Sequence, residues 1–277
     1  MDDIGPNQVN IGKIISVVNQ KGGVGKTTTS VNLATALAAT QKKVLIIDYD
    51  PQGNASTGLG IEQKRRTINI YDVMTGQVNI KDAILRTKIP HLSIIPATVD
   101  LSAAEVELVQ SAEREFILKK QLNNIQTEYD YVIIDCPPSL GILTINALVA
   151  SNEIMIPLQC EFYALEGLSH LIKTFNIIKK RLNPHLKLNG VVLTMYDKRN
   201  KLTAQIELDV RQYFGKDVFN TVIPRNVKIS EAPSHGQPAI IYDHRCVGSI
   251  AYMHLAREIL KREELEEEKQ QLETTEA

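Results

Sequence analysis

The residues best suited to chemistry lie near the start of the 277-residue chain, in the run KGGVGKTT at positions 21–28. Glycines let successive backbone N–H groups turn inward around a phosphate chain, and a helix that begins there adds the positive end of its dipole. Lys26 would neutralise the outer phosphates of a nucleotide, and the Thr27 hydroxyl would ligate Mg²⁺. The loop residues expected to bind the nucleotide are Gly22, Gly23, Val24, Gly25, Lys26, Thr27 and Thr28.

The loop departs from the usual phosphate-binding pattern G-x-x-x-x-G-K-[ST] at its first position. Gln20 stands where the first glycine belongs, and a second lysine, Lys21, opens the loop. A glycine-rich turn that binds no ligand is the competing interpretation. The flanking sequence argues against it, because an apolar strand precedes the loop and a helical pattern follows from residue 26 to about residue 39.

Three carboxylates follow apolar runs that have the composition of buried strands. Asp48 and Asp50 close the run VLIIDYD, and Asp135 closes the run YVIID. In open α/β sheets the ligand lies beyond the carboxyl ends of the strands, where these acids would gather. A single acid at such a position can also be a helix cap or a turn residue. Three of them at matching strand ends favour a role in holding Mg²⁺ and positioning water.

The order of the predicted elements specifies the fold. Short β-branched runs alternate with longer helical patterns, which is typical of βαβ units. The predicted fold class is α/β: a P-loop NTPase with a mostly parallel β-sheet flanked by helices on both faces, in one domain at residues 13–262. Residues 1–12 are predicted to form a short N-terminal extension, and residues 263–277 an acidic C-terminal tail. The predicted strands are 14–18, 44–48, 92–95, 131–135, 154–157, 188–194 and 218–223, and the predicted helices are 26–39, 70–74, 114–125, 165–182, 203–214 and 247–268.

Composition and charge narrow the classes of function. The three cysteines lack CxxC or metal-ligand spacing, and there is neither a signal peptide nor an apolar run of the ~20 residues that span a bilayer, so we expect a cytoplasmic protein with no membrane partner. The net charge of −1 conceals an asymmetry: residues 173–228 hold twelve Lys/Arg against four Asp/Glu, whereas residues 257–277 hold four against eight. The basic segment could contact an anionic partner or be solvated surface.

Several motifs together resemble one protein family. The lysine at the front of the loop, the run DYDPQGN at residues 48–54 and the run DCPP at residues 135–138 are similar to those of the deviant-Walker ATPases of the ParA/MinD superfamily. Two further runs, QCEFYALEG at residues 159–167 and IPRNVKISEAPSHG at residues 223–236, resemble its ParA/Soj partition branch. The resemblance extends from about residue 14 to residue 260.

The resemblance implies a weak, Mg²⁺-dependent ATP hydrolase that acts as a switch and forms a homodimer when ATP is bound. Lys21 would reach the nucleotide of the second subunit, alongside the catalytic Lys26 of the same loop. Asp50 would position the attacking water, and Asp48 and Asp135 would support the Mg²⁺ shell together with Thr27. Pro224 lies in the run expected on the nucleotide side.

The resemblance also implies partners. Arg199 and Lys228 match positions that bind double-stranded DNA without sequence preference, and Arg225 and Lys201 are further candidates, although Arg225 could be structural and Arg199 merely solvated. A ParB/Spo0J-type centromere-binding protein would stimulate hydrolysis during chromosome or plasmid segregation at the nucleoid. Positioning of a non-DNA cargo and a MinD-type role at a membrane surface are the alternatives; the Glu-rich C-terminal sequence, which anionic lipid would repel, counts against the second.

Overall fold

Seven strands form one sheet at the centre of the computed structural model, which describes residues 12–275. The strands are β1 (Lys13–Val17), β2 (Val44–Asp48), β3 (Leu85–Arg86), β4 (Leu92–Ile95), β5 (Tyr131–Asp135), β6 (Glu153–Gln159) and β7 (Lys187–Thr194). Their order across the sheet is β3-β4-β2-β5-β1-β6-β7, and every neighbouring pair is parallel except β3 with β4. The predicted α/β fold class is confirmed.

Helices cover both faces of the sheet. They are α1 (Lys26–Ala39), α2 (Asn54–Gly58), α3 (Ile70–Met74), α4 (Leu101–Glu107), α5 (Ile117–Leu122), α6 (Ile142–Ala150), α7 (Ala164–Arg181), α8 (Lys201–Phe214), α9 (Val227–Glu231), α10 (Ala239–Tyr242) and α11 (Val247–Thr275). Within residues 12–275 no helix combines the length and apolar character needed to cross a bilayer.

The alternation of side chains along each strand builds two hydrophobic layers. Successive strand residues point to opposite faces of a sheet. Ile14 and Val18 therefore pack with residues of α6 and α7, whereas Ile15 and Val17 pack with residues of α1 and α11. Because both faces are covered, the strands are continuously apolar rather than alternating with polar residues, as in parallel sheets generally.

Most predicted elements are confirmed, several with shifted ends. Helix α1 and strands β2, β4 and β5 have the predicted bounds. The helix predicted at residues 114–125 is shorter, because a 3-10 turn precedes α5. Helix α11 continues to Thr275, beyond the predicted end at residue 268. Residues 1–11 of the predicted N-terminal extension lie outside the described residues.

The strand predicted at residues 218–223 is wrong. The segment lies beside β7, where its ends donate two backbone N–H groups to β7 carbonyls at 2.9 and 2.8 Å. Between them, the N–H groups of Asn220 and Thr221 turn away and donate to the carboxylate of Glu258 on α11, at 2.8 and 2.9 Å. A side chain therefore takes the hydrogen bonds that a strand ladder would use, and only isolated bridges form.

The Glu258→Gln substitution tests this replacement of strand pairing. Burial raises the pKa of Glu258, but hydrogen bonds from Asn220 and Thr221 and the charge of Arg262 outweigh it and hold the pKa below its usual value. A depressed pKa contributes stability at neutral pH that disappears as pH falls. We expect Glu258→Gln to lower the free energy of unfolding by about 1 kcal/mol at pH 7. The loss should narrow as pH falls toward about 4.

Urea unfolding at several pH values measures this effect. Glu264→Gln, on the exposed part of the same helix, is the matched control and should change stability little. Equal effects of the two substitutions would show that the Glu258 carboxylate does not support the segment.

Candidate functional site

The loop between β1 and α1 forms an open backbone cradle. Gly23 and Gly25 have φ angles of 75° and 89°, in the left-handed region that glycine adopts without strain, and Gly25 is the N-cap of α1. A Cβ atom built at Gly22 or Gly23 would meet no atom within 4 Å. The loop thus presents unobstructed backbone at the positive end of a 14-residue helix, an arrangement that suits an anionic phosphate.

Lys26 lies inside this loop rather than on the surface. Its side chain is buried, and its ammonium group donates to the backbone carbonyl of Lys21 at 3.1 Å. Burial lowers the pKa of Lys26, while the negative charges of Asp135 and Asp50 oppose that shift. The lysine therefore faces both acids, and it can neutralise phosphate charge from within the cradle.

Asp48 and Asp135 stand side by side at the ends of β2 and β5, where they are register partners. Both are completely buried. The N–H and O–H groups of Ser56 donate to Oδ2 of Asp48 at 2.7 and 2.6 Å, and the Ser30 hydroxyl donates to Oδ1 of Asp135 at 2.8 Å. The remaining oxygens, Oδ1 of Asp48 and Oδ2 of Asp135, are buried without a hydrogen-bond partner. Ser30 and Ser56 had no role in the sequence prediction.

The two acids are electrostatically frustrated in the protein alone. Burial raises the pKa of Asp48 to about 6, and burial together with the charge of Asp48 raises the pKa of Asp135 to about 7. Within residues 12–275 no group of three or more His, Cys, Asp or Glu side chains forms a ready metal cage. The Thr27 hydroxyl lies close enough to Asp135 to oppose the rise in its pKa. Mg²⁺ usually keeps several waters and binds few protein ligands, so this hydroxyl and the two unpaired carboxylate oxygens fit a hydrated ion beside a phosphate.

Asp50 is fixed in a tight turn after β2. Its Oδ1 accepts the N–H of Gln52 at 2.9 Å, and Gly53 closes the turn with a φ of 63°. The guanidinium of Arg66 donates to the carbonyl of Gly53 at 3.2 Å, and a Cβ at position 53 would lie 2.6 Å from Arg66 Nη1. The glycine of the DYDPQGN run is therefore needed for both its conformation and its size. Arg66 was not predicted, since no local pattern links it to this turn.

Lys21 lies at the front of the loop with its side chain about half exposed. Its ammonium group forms an ion pair with Glu161 of the same chain, and Glu161 also accepts from Gln159. Glu161 belongs to the QCEFYALEG run but had no predicted role. Next to it, Phe162 and Tyr163 form an edge-to-face pair at 5.0 Å and are 76% and 68% exposed.

A cavity of about 240 Å³ adjoins the loop. Gly25 and Thr28 form one side, the loop from Ile223 to Ser230 forms another, and Tyr252 of α11 completes it. Pro224 lies in this wall, on the same side of the sheet as the glycine loop, which is the side that the sequence predicted for it.

The four predicted DNA-binding residues gather at this edge of the sheet. Arg199 lies in the loop after β7 and Lys201 begins α8, while Arg225 lies in the loop before α9 and Lys228 lies in α9. A parallel bridge between Tyr196 and Pro224 brings the two loops together. Arg199, Arg225 and Lys201 are exposed, and Lys228 is about half exposed. Residues about 30 positions apart in the sequence thus form one basic surface, which we call the basic edge.

The chain is similar to several known proteins over most of its length. A family model described as an AAA domain matches residues 12–188. The chromosome partitioning protein ParA of Caulobacter vibrioides is 53% identical over 253 residues, which cover 91% of this chain and 95% of that protein. The sporulation initiation inhibitor protein Soj of Bacillus subtilis is 53% identical over 249 residues, which cover 90% and 98%.

The chain belongs to the ParA/Soj family of chromosome-partitioning ATPases. The resemblance seen in its motifs and the predicted class of enzyme, an ATP hydrolase, are confirmed. One similar solved structure is titled cobyrinic acid a,c-diamide synthase from Mycobacterium smegmatis with bound ATP analogue and magnesium. It has a TM-score of 0.80 and 35% identity to this ParA/Soj chain, and the match covers 92% of this chain and 96% of that one.

The Asp135→Asn substitution tests whether the site stores electrostatic strain. The folded-state pKa of Asp135 lies above its unfolded value, so the cost of ionisation is absent below about pH 4, grows as pH rises toward about 7 and is constant above. We expect Asp135→Asn to stabilise the nucleotide-free protein by about 1–2 kcal/mol at pH 8 and much less at pH 5, while weakening Mg²⁺-nucleotide binding.

Urea unfolding at the two pH values and calorimetric titration with Mg²⁺-nucleotide measure the two effects. Asp82→Asn, at an exposed position, is the control for a lost carboxylate. Destabilisation by Asp135→Asn at pH 8 would contradict the stored strain.

Proposed function

We propose that this ParA/Soj-family ATPase is an ATP-switched partition protein. Mg²⁺-ATP binding drives dimerisation and nonspecific binding to duplex DNA at the nucleoid, and a ParB/Spo0J-type partner stimulates hydrolysis and releases the dimer, which segregates a chromosome or plasmid. One observation carries the proposal: the segment of residues 223–230, a loop that leads into α9, lines the cavity beside Gly25 and Thr28 and also bears Arg225 and Lys228 of the basic edge. A ligand in that cavity therefore contacts the element that carries half of the edge's cations.

The nucleotide site uses the glycine loop as a phosphate cradle. Backbone N–H groups at residues 22–28 hold the phosphates, and the buried ammonium of Lys26 supplies their counter-charge. The Thr27 hydroxyl and the unpaired oxygens of Asp48 and Asp135 would hold Mg²⁺ and its waters. When bound, Mg²⁺ neutralises the charge on the phosphates and relieves the repulsion between the two acids.

Hydrolysis requires a fixed group that positions the attacking water and a site that is closed to solvent. Asp50 suits the first role, because its turn and the Gln52 N–H set the direction of its carboxylate beside Lys26. Closure would come from a second copy of the chain, whose nucleotide Lys21 reaches after leaving Glu161. The exposed aromatic pair of Phe162 and Tyr163, next to this ion pair, gives that second copy an apolar surface to cover.

DNA binding through the basic edge would be mainly electrostatic. Four Lys/Arg side chains supply positive charge for contacts with phosphates, which carry no sequence information, so affinity should be insensitive to sequence and should fall steeply with salt. A dimer carries two such edges, which raises affinity over that of a monomer by avidity. Dimerisation by ATP thus controls residence on DNA.

Retention on nonspecific duplex DNA across a salt series tests the proposal. With ATP we expect binding that is lost with ADP or without nucleotide. Arg199→Glu combined with Lys228→Glu should weaken it at least about tenfold while ATP binding is unchanged. Lys179→Glu with Lys180→Glu, exposed at the far end of α7, makes the same charge change away from the basic edge and is the matched control. Equal losses in both double variants would reject the assignment of the DNA face.

The Asp50→Ala substitution separates binding from hydrolysis. Loss of the carboxylate should slow ATP turnover at least about tenfold, because the attacking water is no longer positioned. The variant should therefore stay on DNA after free ATP is removed, which the rate of dissociation from immobilised duplex measures. The wild-type chain with ADP defines the released state. Dissociation of the variant as fast as the wild type would sink the role given to Asp50.

A further inference from the structure

Building on that proposed function, we propose that Asp197 and Glu231 restrain DNA binding. Each carboxylate holds one of the cations of the basic edge, so a DNA phosphate must compete with it for that cation. Asp197 directly follows Tyr196 of the Tyr196–Pro224 bridge, and Glu231 ends the short helix α9, which begins three residues after Pro224. Neither has a part in the nucleotide site.

Asp197 occupies one bidentate edge of the Arg199 guanidinium. Nε of Arg199 donates to Oδ1 at 3.0 Å and Nη2 donates to Oδ2 at 2.9 Å, while the backbone N–H of Arg199 donates to Oδ1 at 3.0 Å. These hydrogen bonds, with a further contribution from the charge of Arg225, lower the pKa of Asp197 to about 2. The carboxylate is therefore ionised at neutral pH, and it lies within reach of two of the four cations of the edge.

Glu231 holds Lys228 within a small cluster. Nζ of Lys228 donates to Oε2 of Glu231 at 2.9 Å and lies 5.6 Å from the centre of the Tyr242 ring. The Tyr242 hydroxyl donates to the same carboxylate oxygen at 3.3 Å, and the ring stacks on His235 at 4.9 Å. The ammonium is thus drawn toward a carboxylate and an aromatic face of its own chain.

The geometry favours competition because the bonds use the donors that a phosphate would use. A guanidinium edge binds carboxylate or phosphate in the same bidentate manner, and Asp197 already occupies the Nε/Nη2 edge of Arg199. The two carboxylates also halve the formal charge of the edge, from four positive groups to a net of two. If they instead pre-organised the cations for DNA, their removal would weaken binding, so the sign of the effect separates the two roles.

A restrained edge serves the switch. A single basic edge binds DNA weakly, because each phosphate competes with a carboxylate for the same cation. Two edges in a dimer bind the same DNA together, which raises the affinity. Weak single-edge binding keeps the monomer off DNA and lets a dimer leave quickly once it separates. Surface ion pairs of this kind are individually weak, so removing one carboxylate should strengthen DNA binding by about two- to fivefold rather than by orders of magnitude.

The test measures retention of the full chain on nonspecific duplex DNA with ATP at fixed salt. We expect Asp197→Asn and Glu231→Gln each to strengthen retention about two- to fivefold. Glu128→Gln is the matched control, since it removes the carboxylate of the exposed Lys81–Glu128 pair. Glu128 precedes β5, at the end of the parallel strands opposite to the basic edge. ATP affinity, measured by titration, should be unchanged in all three variants.

Double variants show whether each carboxylate acts through its own cation. In a Lys228→Gln background the Glu231→Gln gain should fall to the level of the Glu128 control, and the Asp197→Asn gain should shrink in an Arg199→Gln background. Unchanged or weaker retention in the single variants would overturn the restraint, as would a gain that is not reduced by loss of the cation. Both of those outcomes leave the proposed function intact, whereas a wild-type chain that holds ATP but no DNA overturns the function and the restraint together.

Discussion

Two fully buried carboxyl groups with too few partners impose the constraint on which the rest of the site depends. Asp48 and Asp135 are neighbours at the ends of β2 and β5, and each keeps one oxygen without a hydrogen bond. Burying such a pair in its ionised form is energetically unfavourable, because desolvation and mutual repulsion both oppose ionisation. The arrangement is stable in its charged form when cationic groups are nearby, which explains why Lys26 and a phosphate cradle lie beside it.

The surroundings of the pair are organised to keep that strain in place. Ser30 and Ser56 each hold one carboxylate oxygen, and they come from the helices that follow the glycine loop and the DYDPQGN run. Because both helices are buried against the sheet, neither carboxylate can rotate toward solvent to relieve its charge. The buried pair therefore lowers the stability of the protein without its ligands, and Mg²⁺ and phosphate together would relieve this cost. Such a loss of stability is common at functional sites.

How much of this the sequence can predict depends on the range of the interaction. The glycine loop, Lys26 and the three acids are local patterns at strand ends, so their common position followed from the rule that parallel strands end at one edge. The Ser30, Ser56 and Arg66 contacts depend on side chains meeting across the fold, and no spacing indicates them. The false strand at residues 218–223 has the same origin, because its apolar pattern is real but Glu258, about 40 residues later, takes its hydrogen bonds.

The basic segment shows the same limit at the level of surfaces. The basic segment of the sequence forms two surfaces in the fold. Helix α7 ends and β7 begins at the amino ends of the parallel strands, whereas Arg199 and Lys201 follow β7 at their carboxyl ends. The second surface meets the segment of residues 223–230, which lines the cavity beside the glycine loop. The charge counted along the sequence does not distinguish these surfaces. The fold does, because the eight residues of β7 carry the chain from one end of the strands to the other. In the proposed function, proximity to the cavity, rather than the number of cations, therefore selects this surface for control by the nucleotide.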